Sequence, residues 1–215
     1  MNHKKLIRHS LFIKAVKIIL IAFIFIPDLS AGTKIDKDKK TIINTLEAHK
    51  ERLIEISDNI WEAAEPALLE FKSSKYLWDY AEENGFKVTK GVADIPTAFT
   101  AEYGSGKPII GIMGEFDANP GISQKKQPTK EPLIKGAAGH GCGHNLFGTA
   151  SLGAAIAIKE MIESGEISGT VRFYGTPAEE TIFAKVWMVR AGLFDDLDVC
   201  MDWHPGDEIE ASTQS

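Results

Sequence analysis

The sequence is poor in the features that most quickly assign a chain to a class. Only two of its 215 residues are cysteine, Cys142 and Cys200. That is too few for a disulfide-framed scaffold, although a single bridge stays open if the protein is exported. Long apolar runs are missing too: residues 18–26 form an unbroken stretch of nine, and Lys14 and Lys17 keep it from growing into a membrane span. Positive charge is scarce, with 24 Lys and Arg against 30 Asp and Glu and a net charge of −6. Its densest basic stretch, Lys125 and Lys126 with Lys130 and Lys135, falls in a polar, proline-containing loop. Nucleic acid is therefore excluded as a partner, because phosphate binding needs clustered cations. A dinucleotide loop is excluded as well, since Gly139-x-Gly141 meets His144 where the third glycine belongs. There is no internal repeat and no low-complexity tract. What remains is the composition of an ordinary globular protein with one sizeable core.

The first residues differ from the rest. Lys4, Lys5 and Arg8 precede the apolar run, and Pro27 and Ser30-Ala31-Gly32 follow it. This order predicts a secretory signal peptide over residues 1–32, hence an exported (periplasmic or secreted) protein with no stable membrane anchor after cleavage. The remaining 33–215 would carry 19 basic and 29 acidic side chains, a net charge of −10.

Along that remainder, helical and strand patterns alternate. Ile42, Leu46, Leu53, Ile56 and Ile60 recur at helical spacing over 36–63, and Pro66 ends the pattern. A second helix is expected from a Ser73 or Ser74 cap to Glu83. Strands are expected near 86–89, 98–103, 108–114, 169–175 and 197–203. Helices are expected over 146–163 and 184–191. The 108–114 run is apolar on both faces, as a covered central strand is. The stretch 149–158 is rich in small residues, which suits a helix lying close on a sheet. These patterns predict an α/β fold, a mostly parallel sheet flanked by helices. Ligands in such sheets bind beyond the carboxyl ends of the strands. Asp117, Glu179, Glu180 and His204 all directly follow predicted strands, so one rim can gather them.

The chemistry concentrates in Gly139-His140-Gly141-Cys142-Gly143-His144-Asn145. A thiolate and an imidazole two residues apart, in a glycine-rich turn, can share a metal ion. Alone, such a pair is as readily a packed cysteine beside a capping histidine. Likewise Glu179-Glu180 alone could merely complement a helix N-terminus. Together with His204 they form a donor set that suits zinc, or manganese. The adjacent glutamates can then divide the work, one binding metal and the other moving protons. In this reading Cys200 is a core residue. A cysteine hydrolase using Cys142 and His144 is the rival, and it lacks a third, orienting group.

The motifs Gly-His-Gly-Cys-Gly-His-Asn (139–145), Gly-Thr-Pro-Ala-Glu-Glu (175–180), Met-Val-Arg-Ala-Gly-Leu-Phe-Asp-Asp (188–196) and Trp-His-Pro (203–205) resemble the aminobenzoyl-glutamate utilisation protein B branch of the aminoacylase-like dinuclear metallopeptidases and amidohydrolases. The likeness extends from about Trp61 to His204, through Ile95-Pro-Thr-Ala-Phe and Gly114-Glu-Phe-Asp-Ala. It implies a zinc-exopeptidase-like catalytic domain holding two divalent metal ions, zinc or manganese, and interrupted by a lid or dimerisation domain. Cys142, His144, Glu180 and His204 match the family's metal ligands, Glu179 its general base, and Asp117 a carboxylate that orients the site. The implied reaction is hydrolysis of an amide joining an acyl or aroyl group to an amino acid, on a small-molecule substrate, in a homo- or hetero-oligomer. Two departures stand out. Thr181-Ile-Phe-Ala-Lys185 replaces a glycine-rich run, and no counterpart exists for a final histidine ligand or for the lid domain. The expectation is an incomplete catalytic domain, the amino-terminal part of such an enzyme, or else an inactive metal-binding remnant.

Overall fold

The computed structural model describes residues 29–208. The basic start and apolar run of the expected signal peptide lie outside the described residues. The chain divides into two units, 1–41 and 42–215. Of the first, the described part is helical backbone from Leu29. The second holds the remainder of that helix and the whole sheet.

Helix α1 (Leu29–Ala63) is followed by α2 (Phe71–Glu83), β1 (Lys87–Lys90), a 3-10 turn at Val92–Asp94, β2 (Phe99–Ser105) and β3 (Ile109–Glu115). Then come α3 (His144–Glu163), β4 (Gly169–Thr176), the single turn α4 (Glu179–Ile182), α5 (Ala184–Arg190) and β5 (Val199–Met201). Helix α2 begins earlier than a serine cap predicts. The Glu65 carboxylate takes the N–H groups of Lys72 and Ser73 and the Ser73 hydroxyl, satisfying the first turn from outside and leaving Ser73 within the helix.

The five strands are ordered β1-β2-β4-β3-β5. The sheet is mixed: β3 runs parallel to both β4 and β5, whereas β1–β2 and β2–β4 are antiparallel. The reason lies in the connections. Helices separate β3, β4 and β5 along the chain, and a crossover through a helix returns a strand parallel. Only a short turn joins β1 to β2.

Side chains of alternate parity along the strands face opposite layers. Phe99, Ala101, Val171 and Phe173 join Ile56, Ile60, Leu77, Leu152 and Ile156 from α1, α2 and α3 in one cluster. Tyr174 packs on the other side with Val92, Ile95, Ala98, Ala184 and Met188. Helix α3 lies close on the sheet, and the tightest point falls at Gly148, one residue before the small-residue stretch 149–158. A Cβ at Gly148 would stand 2.5 Å from the Glu115 carbonyl oxygen, so only glycine lets the helix lie this near the end of β3. One expectation fails. Strand β5 spans three residues, all exposed, so Cys200 is an exposed edge residue and not a core residue. At the sheet's edge nothing among the described residues covers it. Both cysteines are free thiols, which removes the disulfide alternative for this fold.

Candidate metal centre

Because β4, β3 and β5 are adjacent and parallel, their carboxyl ends share one rim. Asp117 lies two residues beyond β3, Glu179 and Glu180 open α4 just beyond β4, and His204 lies three beyond β5. The turn that follows the long 118–138 loop brings Cys142 to the same place, and α3 starts there with His144, capped by Gly143 in the left-handed conformation. The rim anticipated from strand ends is thus assembled.

His144 is its centre and is fully buried. Its Nδ1–H is directed at Asp117, 3.0 Å from Oδ1 and 3.2 Å from the carbonyl oxygen. This turns Nε2 inward, 2.9 Å from Glu115 Oε2 and 3.8 Å from Glu180 Oε1. Neither His144 Nε2 nor Glu180 Oε1 finds a hydrogen-bond partner of acceptable geometry among the described residues, although both are buried. Asp117 also reaches the second of the paired glutamates: its Oδ2 accepts the Glu180 N–H at 2.9 Å. One carboxylate therefore orients two of the expected ligands, the role inferred for it.

His204 is prepared in the same way. Its Nδ1–H donates to the Pro205 carbonyl at 2.9 Å, leaving the Nε2 lone pair 3.4 Å from Cys142 Sγ. The Trp203 indole donates to Ser151 Oγ at 2.9 Å and stacks edge-on with Phe147, which fixes the neighbouring ring. Donor atoms of Cys142, His144 and His204 all lie within 4.8 Å of one another, as do those of Glu115, His144 and Glu179. The two clusters overlap at His144, whose one free nitrogen, Nε2, can bind a single cation. His140, by contrast, points away: its ring donates to the Ile60 carbonyl at 3.0 Å, and burial lowers its pKa to about 4, so it is a neutral strut between the turn and α1.

The electrostatics favour a cation. Burial alone would lower the pKa of His144, but Asp117 and Glu115 outweigh it and push it up to about 10. Burial, then the Glu180 carboxylate and the charges of Glu179 and Glu115, push the Cys142 thiol up to about 11. Burial and the neighbouring Glu115 and Glu180 raise the Glu179 carboxyl. Four carboxylates and a thiol outnumber the two cations of the rim, His144 and Lys185, and a divalent ion would offset that surplus of negative charge. The orphaned Nε2 and Oε1 atoms and the soft and hard donors together fit such an ion. A raised thiol pKa is also the opposite of what a cysteine nucleophile needs, and Cys142 faces His204, so the expected pairing of Cys142 with His144 is not formed.

Two participants were not foreseen as site residues. Glu115, the last residue of β3, carried a signal in its alternation with Asp117 at a strand end. Lys185 carried none. The run 181–185 turns through Phe183 in a left-handed conformation and returns Lys185 to the rim, where it pairs with Glu115 and lies 3.9 Å from Asp202. His144 and Lys185 hold the Glu115 carboxyl below the usual range against the opposing effect of burial.

All of these donors fall within one segment that is similar to known proteins. Over residues 111–213 the chain matches Peptidase family M20/M25/M40. It is 47% identical over 167 residues to a p-aminobenzoyl-glutamate hydrolase subunit of Escherichia coli, covering 76% of this chain and 34% of that protein. Against the Xaa-Arg dipeptidase of Mus musculus it is 29% identical over 197 residues, covering 86% of this chain and 42% of the other. In structure it resembles a dinuclear metal-binding M20 peptidase of Bacillus subtilis, with a TM-score of 0.61 at 26% identity over 72% of this chain and 42% of that one. The resemblance to aminoacylase-like metallopeptidases and amidohydrolases read from the motifs therefore stands, as does the α/β sheet flanked by helices. The chain spans between about a third and two fifths of the length of these relatives.

Proposed function

We propose that this chain carries the metal-binding rim of an M20 amidohydrolase that cleaves the amide of an N-acyl or N-aroyl amino acid. Supporting this most directly is the orphaned pair His144 Nε2 and Glu180 Oε1, facing each other 3.8 Å apart beside Cys142 and His204. The substrate class draws on the 47% identity to a p-aminobenzoyl-glutamate hydrolase subunit. Cys142, His144, Glu180 and His204 would hold zinc or manganese, and Glu115, 2.9 Å from His144 Nε2, lines the same centre. A bound divalent ion polarises a carbonyl and lowers the pKa of water. Asp117 keeps the His144 Nε2 lone pair and the Glu180 backbone aimed at the centre. Glu179, with its carboxyl already raised, takes a proton from the attacking water and returns it to the departing nitrogen. Lys185 holds Glu115 ionised and in place.

A second reading draws on the open edge of β5, where Val199 and Met201 are 47% and 54% exposed. There the rim binds metal but turns nothing over without further residues packed on that edge. Export rests on the basic start and apolar run of residues 1–32, and fractionation of expressing cells tests it. Hydrolysis of N-benzoyl and N-acetyl amino acids, followed by amine release, tests the main proposal. Activity should vanish with a chelator and return with zinc or manganese. Activity that persists in chelator but is lost on thiol alkylation would refute it, and metal binding without any turnover would favour the second reading.

A further inference from the structure

Cys142 sits between Gly141 and Gly143, in a turn whose backbone has little stiffness of its own. Something must hold the thiol opposite His204, and one residue outside the turn does so at three places. The main chain of Asn119 pairs with Gly139 as an isolated antiparallel bridge, with both N–O distances 3.0 Å. Its side-chain Oδ1 then accepts two N–H groups, from Gly141 at 3.2 Å and from Cys142 itself at 3.1 Å. The neighbouring loop also packs on the turn: a Cβ at Gly139 would stand 2.7 Å from the Ile122 carbonyl oxygen, so that position has no room for a side chain. Asn119 lies two residues after Asp117, whose carboxylate fixes His144 and Glu180. The segment 117–119 thus fastens three of the four proposed ligands.

We propose that Asn119 is a positioning residue for the metal centre, acting through the Cys142 backbone to deliver the thiolate to the ion. The inference rests on the metal-binding reading above. Without Oδ1 both N–H groups lose their acceptor, and the turn is freed to carry Sγ away from His204 Nε2. Imidazole and carboxylate donors, held separately by Asp117, stay in place. The loss should therefore fall on the thiolate donor first.

Cobalt(II) separates these contributions, because a Co–thiolate bond gives a near-ultraviolet charge-transfer band. The full chain is titrated with Co2+ and the band is measured per bound ion. Wild type should show the band and Cys142→Ser should lack it. Asn119→Leu should bind Co2+ about 10–100-fold more weakly and show a diminished band even at saturation. Asn119→Asp, which keeps an oxygen in reach of both N–H groups, should restore both. If Asn119→Leu does not give the wild-type circular dichroism spectrum, Asn119→Ser, too short to reach both N–H groups, carries the same expectation. A purely structural role would lower the melting temperature but leave the band per bound ion unchanged, and that result overturns the inference. Absence of the band from wild type, or its persistence in Cys142→Ser, would instead defeat the metal-site reading itself.

Discussion

Glu70 is fully buried, and the site does not use it directly. Its Oε1 accepts the Ala178 N–H at 2.9 Å and its Oε2 accepts the Thr97 hydroxyl at 3.1 Å. Ala178 stands at φ +58°, immediately before Glu179, so Glu70 anchors the strained residue from which the paired glutamates project. Burial raises the Glu70 carboxyl from 4.5 to about 7, with the Asp117 charge adding to the shift. A carboxyl that binds its proton more tightly in the folded state contributes full stability below pH 4.5. That contribution is lost as pH rises through about 7. The difference corresponds to roughly 3 kcal/mol. Glu70→Gln fixes the neutral form: the amide oxygen accepts the Ala178 N–H and the amide nitrogen donates to the Thr97 hydroxyl, which rotates to accept. Urea unfolding followed by circular dichroism, with chelator present, should find variant and wild type equally stable near pH 4. Near pH 8 the variant should be the more stable by roughly 3 kcal/mol. A stability difference that does not change with pH would refute a proton on Glu70, and a variant less stable at pH 8 would refute the hydrogen-bond replacement.

Other expectations follow from the rim. Glu179→Gln should retain metal, since the other donors are untouched. It should lower turnover by about 10²–10⁴-fold wherever turnover is measurable, and smaller losses would remove Glu179 from proton transfer. Lys185→Met removes one of the two cations paired with Glu115, whose side chain is only 3% exposed, and leaves His144 alone beside it. It should cost roughly 3 kcal/mol in unfolding free energy, with Glu115→Gln in the same chain recovering part of it. An unchanged melting temperature would show that the pair contributes nothing.

The fold was legible where periodicity was strong and burial followed it. The apolar spacing of 42–60 gave the end of α1 at residue 63, although the helix starts at Leu29, seven residues before the expected 36, and the two-sided apolar run before Glu115 gave β3 within a residue. The small residues of 149–158 foretold a helix lying close on the sheet, and its tightest approach, Gly148 against the end of β3, falls one residue before that stretch. Boundaries set by distant groups were not legible: α2 starts at Phe71 because Glu65 supplies its cap from six residues away. Strand direction also escaped the pattern, because apolar strands look alike whether the next connection is a helix or a tight turn. So did the exposure of β5, which depends on what lies beyond the edge of the sheet. At the site, residues that follow strands directly were readable, because the strand ends share a rim. Lys185 was invisible, since a reversal through left-handed Phe183, with no glycine to mark it, brings the lysine back to Glu115.

The central claim is that Cys142, His144, Glu180 and His204 hold a divalent ion together. Equilibrium dialysis against zinc, followed by metal analysis of the recovered protein, tests it most directly. Wild type should retain zinc, whereas Cys142→Ala, Glu180→Ala and His204→Ala should each retain much less while keeping the wild-type circular dichroism spectrum. Equal zinc content in wild type and all three folded variants would contradict the account.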